Sequence, residues 1–149
     1  MKTARDIMTQ EVITIAPDSS IRVLAAIFTE NNISGVPVVD EQGSVIGIVT
    51  ESDLIFHNKR LKVPSVITIL DSFFFLDSPE KMEKELKKIG AATVADICTS
   101  PPVTITDDTP LDEIATLMSD KHIHTLPVID GAGEMIGIVG KKDIIRTIL

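Results

Sequence analysis

The sequence of 149 residues is long enough to bury one core but too short to carry a separate catalytic domain, so any function belongs to the fold itself. With 44% hydrophobic residues, no Trp or Tyr and a formal net charge of −8, the composition favours a globular domain and argues against nucleic acid or an anionic membrane as a partner. A single cysteine, Cys98, excludes an internal disulfide, and the lack of an apolar leader or of a run of about 18 apolar residues predicts a cytoplasmic protein.

The sequence contains an internal repeat, because a shift of 90 positions places one half on the other without a gap. RDIMT at residues 5–9 falls on ADICT at 95–99, and GVPVVD at 35–40 falls on TLPVID at 125–130. VIGIV at 45–49 matches MIGIV at 135–139, and an aspartate follows each at the same distance. So many matches at one offset predict two copies of one motif, over residues 1–60 and 93–149, joined by a linker at 61–92.

Each copy has the pattern of a β-α-β-β-α motif. Short β-branched runs at residues 12–15 and 103–105, each ended by turn-forming residues, predict a first strand. An apolar stripe with the spacing i, i+3, i+4, i+7 predicts a helix with one face on a sheet. Its members are Ile21, Leu24, Ala25 and Phe28, and then Leu111, Ile114, Ala115 and Met118. Residues 36–39 with 45–49, and 126–129 with 135–139, predict two hairpins, and a last helix is expected to begin near Thr50 and Gly140.

The linker has no counterpart in the repeat. It holds three of the five phenylalanines, in FFFL at residues 73–76, and such an apolar cluster requires burial. The run DSPE at 77–80 predicts a capped helix that ends at Gly90. Two interpretations stay open: a crossover helix whose aromatic approach packs on its own domain, or an aromatic patch at a subunit interface.

One copy, with three short strands and two helices, is too small to bury its apolar sheet face alone. We therefore expect a mixed α/β (α+β) fold, in which the two β-α-β-β-α copies pack sheet to sheet about a pseudo-twofold axis. Such an axis creates two equivalent clefts between the copies.

Three pieces of the repeat resemble the CBS (cystathionine β-synthase) domain. They are DIMT at residues 6–9, VPVVD at 36–40 and VIGIVTESD at 45–53, and the second copy repeats each of them. The resemblance covers nearly everything except the linker and implies a tandem CBS pair, or Bateman module. It further implies a regulatory homodimer with no required cofactor or metal, whose regulatory ligand is an adenosine nucleotide such as AMP, ADP or ATP, or S-adenosylmethionine.

The family's signature for ribose and phosphate is Gly-hydrophobic-hydrophobic-Ser/Thr-x-x-Asp. GIVTESD at 47–53 fits it in full, whereas GIVGKKD at 137–143 keeps Asp143 but has Gly140 where the hydroxyl belongs. An Asp carboxylate can accept hydrogen bonds from both ribose hydroxyls, and a helix N-terminus offers amides to a phosphate. Thr50 and Asp53 also match a plain capping box, so the same residues have a purely structural interpretation.

The resemblance implies that the signature of one copy faces the other copy's first strand and the segment before its second strand. The first cleft is then expected to combine Thr50, Ser52, Asp53, Val103, Ile123, His124, Thr125 and Leu126. The second cleft is expected to combine Ile13, Ile33, Ser34, Gly35, Val36, Lys142 and Asp143. Aliphatic residues such as Ile13 and Ile33 can sandwich an adenine while backbone groups read its edge, although both also suit a core.

His122 and His124 have three interpretations. Spaced i, i+2 on an extended segment they share a face and could hold a metal, although a clear third ligand is missing. They could instead lie beside a phosphate, with Lys121 or Lys142, or be ordinary surface residues.

The sequence offers no catalytic motif. It has no P-loop, no nucleophile elbow and no His-Glu-x-x-His, and the two signature aspartates are expected in separate clefts, so we predict no enzyme. Two alternatives to a nucleotide-binding regulator stay open: a ligand-free interaction and dimerisation module that docks a regulated protein, and a metal-binding protein that uses the histidines.

Overall fold

The computed structural model describes residues 1–60 and 92–149, and for residues 56–60 the backbone alone. The aromatic cluster and the linker helix expected from the sequence lie outside the described residues. The first half contains α1 (Ala4–Ile7), α2 (Ile21–Asn31), β1 (Gly35–Val39), β2 (Val45–Thr50) and α3 (Glu51–Arg60). The second half contains α4 (Val94–Ile97), β3 (Ile105–Thr106), α5 (Leu111–Asp120), β4 (Thr125–Ile129), β5 (Met135–Gly140) and α6 (Lys141–Arg146).

Both predicted hairpins are confirmed. Strands β1 and β2 pair antiparallel, with Gly35 opposite Thr50, and β4 pairs with β5 in the same way, with Thr125 opposite Gly140. Each loop is closed by an aspartate at its start: the Asp40 carboxylate accepts from the amides of residues 42 and 44, and Asp130 does the same for 132 and 134. This local hydrogen bonding explains why the turn chemistry could be read from the sequence.

The predicted first strand at residues 12–15 is wrong in extent. Only Ile15 reaches the sheet, where its amide donates to the carbonyl of Pro37 (3.1 Å) and its carbonyl accepts from the amide of Val39 (3.0 Å). In the second half the equivalent run forms the two-residue strand β3, which pairs parallel to β4. The β-branched residues before Ile15 are not needed for pairing, because they turn away from the sheet and line a cleft instead.

The short helices α1 and α4 are exchanged between the halves. Ala4 of α1 is fully buried in the core of the second half, and Val94 of α4 is fully buried in the core of the first. The exchange is fixed by backbone pairing, since Thr9 bridges to Ile138 and Thr99 bridges to Ile48. Each half therefore completes its core with a segment of the other half.

Helices α2 and α5 bury most of the predicted apolar stripe. Leu24 and Phe28 lie in the first core, and Ile114 and Met118 lie in the second, as the spacing predicts. Ala115, which the stripe also included, is exposed. The core-facing side of α5 is rotated toward Leu117, which packs against the second core in its place.

The two sheets meet at β1 and β4, as expected for a pseudo-twofold arrangement. Gly35 and Thr125 occupy equivalent positions in the repeat and lie against each other there. A contact between equivalent residues marks the axis that relates the two halves, and the predicted tandem α+β fold is therefore confirmed. In the two described segments, no helix is long and apolar enough to cross a bilayer.

Candidate functional site

A cleft of about 590 Å³ lies between the two halves, beside the axis. Six of the seven residues expected in the second cleft line it. They are Ile13, Ile33, Ser34, Gly35, Lys142 and Asp143. The loop before Ile15 and the segment that leads into β1 form one wall, and the end of β5 with helix α6 forms the other.

Val36, the seventh expected residue, does not line the cleft. Its side chain is fully buried in the first core, and its backbone pairs with Val49 in the hairpin. Side chains alternate between the two faces of a strand, so a strand that points Gly35 at the cleft points the next side chain into the core. The burial excludes a ligand contact from the Val36 side chain, whereas a contact from its backbone stays a prediction.

Several residues that line the cleft were not singled out for it from the sequence. They are Thr9, Glu11, Val12, Asn31, Asn32, Glu51, Thr125, Ile138, Lys141 and Arg146. Lys141 and Arg146 flank the signature aspartate on α6, a neighbourhood that could have drawn attention to them. Thr9 enters with the exchanged segment and bridges to Ile138 of β5, a contact that only the tertiary structure reveals.

Asp143 acts as a capping group at the start of α6. Its Oδ2 accepts from the Gly140 amide at 2.7 Å, and its Oδ1 accepts from Nη1 of Arg146 at 3.2 Å. The carboxylate is mostly buried, with 13% of the side chain exposed, whereas Arg146 is 70% exposed. Asp143 therefore has the structural capping role. Its second partner, Arg146, is solvated and forms only a weak surface ion pair with it.

The charges of the cleft are divided between its walls. The second half contributes three cations, Lys141, Lys142 and Arg146, and the first half contributes Glu11 and Glu51. Neither lysine forms an ion pair with a residue of the described ranges. A ligand that carries both an anionic group and polar hydroxyls would find partners for each here.

The residues expected in the first cleft occupy positions equivalent to those of the second. Thr50 and Asp53 cap each other, because the Thr50 amide donates to Asp53 Oδ2 at 2.9 Å and the Asp53 amide donates to Thr50 Oγ1 at 3.2 Å. Ser52 and His124 are exposed, while Val103 and Ile123 are half-buried against the second core.

Two residues expected in the first cleft differ from the rest. The Leu126 side chain is fully buried in the second core, for the same alternation of strand faces that buries Val36. Thr125 lies at the axis and lines the second cleft, and its place in the first cleft stays a prediction. The sequence could not reveal this, since the axis contact depends on how the two sheets meet.

The histidine pair lacks the geometry on which the metal interpretation was based. His122 has a positive φ of 53°, the left-handed conformation, just as the equivalent Asn32 does at 51°. The segment is therefore a turn after α5, and the expectation of an extended pair with a shared face is wrong. Within residues 1–55 and 92–149, whose side chains the structure describes, no group of three or more His, Cys, Asp or Glu could hold a metal ion.

Two equivalent α+β motifs, an exchanged segment in each and a cleft at their interface define a tandem-repeat module. The family model of the CBS domain matches residues 4–59 and 94–149, and the chain belongs to that family. It is 33% identical over 145 residues to a CBS domain-containing protein of Dictyostelium discoideum, covering 97% of this chain and 90% of the relative.

The fold is similar to that of solved CBS pairs. The structure of CBSX2 in complex with AMP matches with a TM-score of 0.73 and 25% identity, covering 99% of this chain and 96% of that one. The CBS pair of protein MJ0100, in complex with 5-methylthioadenosine and S-adenosyl-L-methionine, matches with a TM-score of 0.71 and 28% identity over 99% and 96% of the two chains.

A CBS pair also occurs within a larger enzyme among the relatives. The chain is 28% identical over 145 residues to inosine-5'-monophosphate dehydrogenase of Thermoplasma acidophilum, covering 97% of this chain but 23% of the dehydrogenase. The similarity is thus confined to a small part of that enzyme.

Proposed function

We propose that the protein is a regulatory module that binds an adenosine nucleotide in the cleft between its two CBS motifs, with AMP as the simplest ligand. One observation carries this proposal: aliphatic side chains, a mostly buried carboxylate and two lysines without an ion pair among the described residues line one cleft of about 590 Å³. Such a pocket suits a ligand that is apolar at one end and anionic at the other. The similar CBS pairs that hold AMP, or 5-methylthioadenosine and S-adenosyl-L-methionine, support the ligand class.

Adenine is assigned to the wall formed by Ile13 and Ile33. Ile13 is 39% exposed, a high value for an isoleucine in a small domain, and it faces the cleft rather than the core. Covering this surface with a flat aromatic base would remove apolar area from water at about 25 cal/mol per Å². Burial of the exposed Ile13 side chain by adenine would therefore contribute favourably to the free energy of binding.

Ribose is assigned to Asp143. Its Oδ1 currently accepts from Arg146, and a ribose hydroxyl would compete for that oxygen. The exchange costs little, because the arginine is largely solvated and an exposed ion pair contributes about 0–1 kcal/mol. Once displaced, Arg146 can join Lys142 in binding the phosphate, so one rearrangement serves both ends of the ligand.

The first cleft is proposed to bind the same class of ligand through Thr50, Ser52 and Asp53, with Val103, Ile123 and His124 of the other motif. The support is positional, since each of these residues is the repeat equivalent of one in the described cleft. The sequence carries no recognised catalytic motif, and each cleft has one signature aspartate, which favours a regulatory function over a catalytic one.

Calorimetric titration with AMP tests the proposal. Asp143→Asn keeps an oxygen for the Gly140 amide but removes the charge, and should weaken one class of site about ten- to a hundredfold. Asp130→Asn is the matched control, because Asp130 closes a hairpin loop outside the cleft. The proposal is wrong if AMP, ADP, ATP and S-adenosylmethionine all fail to bind the wild-type protein.

A second candidate function, a ligand-free interaction module, has one observation in its favour. Ile55 on α3 and Ile145 on α6 are repeat equivalents, and both are strongly exposed, at 68% and 55%. We propose that this paired apolar surface, which we call the isoleucine face, is covered by a second copy of the chain. A surface that is repeated about a pseudo-twofold axis is suited to pair with the same surface of a second copy. Such a homodimer is compatible with both candidate functions, the nucleotide-binding regulator and the ligand-free interaction module.

A further inference from the structure

Thr125 presents a buried hydroxyl without a partner. The residue is 8% exposed and lines the cleft, yet its Oγ1 makes no hydrogen bond with any residue of the described ranges. Buried hydroxyl groups in native proteins are nearly always hydrogen-bonded, so an unpartnered one at a cleft wall indicates a partner that arrives from outside the chain. The same cleft is lined by two lysines and an arginine of α6 besides its three carboxylates, so an anionic group of a ligand would find cations there.

The two motifs carry their threonine on different strands. In the first motif Thr50 on β2 is opposite Gly35 on β1, and in the second motif Thr125 on β4 is opposite Gly140 on β5. Residues directly opposite each other in an antiparallel pair project to the same face, with Cβ atoms about 5 Å apart. Each motif thus has one threonine hydroxyl at this rung of its hairpin, supplied from the other strand.

Gly35 is what allows Thr125 to reach the cleft. A Cβ on Gly35 would lie 2.5 Å from Thr125 Oγ1 and 2.9 Å from its Cβ. The space at the axis therefore accommodates only one of the two side chains, and the Thr125 side chain occupies it because residue 35 is a glycine. The second cleft therefore has a threonine hydroxyl at the axis, although its own signature has a glycine at position 140.

We propose that Thr125 supplies the second cleft with the hydroxyl that Gly140 lacks, and that it donates a hydrogen bond to the phosphate of a bound adenosine monophosphate. The inference deepens the proposed function and rests on it. It makes Thr125 a residue that selects for the phosphorylated ligand, together with Lys142 and the displaced Arg146. In the first cleft the signature itself carries a hydroxyl, on Thr50, so the selectivity of that cleft is expected to come from Thr50.

The test compares AMP with adenosine by calorimetry in an Asp53→Asn background, which weakens the first cleft. Thr125→Val keeps the shape and removes the hydroxyl, and should weaken AMP about three- to tenfold while adenosine changes less than twofold. Thr125→Ser keeps the hydroxyl and should bind AMP within about twofold of the parent. Thr116→Val is the matched control, because Thr116 is an exposed threonine on α5 whose hydroxyl donates to the Asp112 carbonyl away from the cleft, and it should leave AMP binding in this background unchanged.

The unliganded melting temperature separates a ligand contact from a structural role. Thr125→Val should melt at or above the parent temperature, because a methyl group replaces a buried hydroxyl that has no partner. If the valine variant does not fold, Thr125→Ala takes its place with the same expectation for AMP.

Each other outcome overturns the inference in a distinct way. Equal losses for AMP and adenosine would place Thr125 away from the phosphate, and no loss for either would remove it from the site. Wild-type protein that binds neither compound would overturn the proposed function itself, whereas binding that is indifferent to residue 125 overturns the inference alone.

Discussion

Gly47 of β2 packs directly against the backbone of Thr99, so that a Cβ at position 47 would lie 2.9 Å from the Thr99 carbonyl oxygen. The equivalent Gly137 faces Met8, where a Cβ would lie 2.6 Å from Sδ. Both glycines are the places at which the exchanged segments dock onto the sheets. The two glycines are equivalent in the repeat, but their surroundings differ in stiffness. Gly47 meets the Thr99 backbone first, with Cys98 Sγ at 3.1 Å, whereas Gly137 meets first the flexible side chain of Met8, the repeat equivalent of Cys98.

Alanine at these two positions should therefore have unequal effects. Gly47→Ala forces the bridge between Ile48 and Thr99 to shift, and we expect a loss of about 1–3 kcal/mol in the free energy of unfolding. Gly137→Ala should cost less, because the Met8 side chain can adopt another rotamer. Urea denaturation of both variants measures the difference, and a larger loss for Gly137→Ala would contradict this account of the docking.

The axis contact gives a second prediction, about packing rather than binding. Gly35→Ala should lower the free energy of unfolding by about 1–3 kcal/mol, because its Cβ collides with Thr125. Adding Thr125→Gly removes the collision, so the double variant should be more stable than the sum of the two single changes predicts. Additive effects in a double-mutant cycle would mean that the two residues do not share this space.

The isoleucine face, Ile55 and Ile145, gives a third prediction. Ile145→Glu should shift the protein toward the monomer in sedimentation velocity at micromolar concentration, while the melting curve of the monomer stays close to that of the wild type. Val23→Glu is the matched control, since Val23 is 49% exposed on α2 and its repeat equivalent is already Glu113. A wild-type protein that sediments as a monomer would contradict the proposed homodimer.

Much of the fold could be predicted because its main determinants are local or periodic. The aspartates of the hairpin loops act on amides two and four residues away, and Leu24 and Ile114 follow helical spacing. The first strand could not be delimited, since the pairing of Ile15 with Val38 is set by tertiary packing. The sequence analysis did not predict helices α1 and α4, although the Thr-x-x-Asp capping boxes at residues 3–6 and 93–96 are typical of helix N-termini.

The signature residues of the candidate site could be predicted from the sequence, whereas the residues at the pseudo-twofold axis could not. The resemblance led to Asp143 and Lys142 and, through the repeat, to Ile13 and Ile33 on the opposite wall. Thr125 was expected in the first cleft and is found to line the second, because a residue on the axis is close to both halves. Its access to the second cleft depends on the side-chain room left by Gly35, a tertiary property that no motif encodes.

The last prediction uses Cys98, the only cysteine of the chain, as a reporter of the first signature. Partial burial raises the pKa of the Cys98 thiol, and the negative charge of Asp53 raises that pKa further. Alkylating reagents attack the thiolate, so both effects should keep the reaction of Cys98 with iodoacetamide slow near neutral pH. The rate should rise with pH and level off above the ordinary thiol pKa.

Asp53→Asn removes the negative charge that raises the pKa of Cys98 and leaves the other cause, partial burial of the thiol, unchanged. The pKa of Cys98 should fall, and alkylation at pH 8 should become about two- to threefold faster, because a single partly solvated charge contributes a few tenths of a kcal/mol. Asp143→Asn, the equivalent change in the other motif, should leave the rate unchanged. Mass spectrometry of timed samples gives the rates across pH, and a faster reaction in both variants would indicate a general loosening of the fold rather than a charge effect.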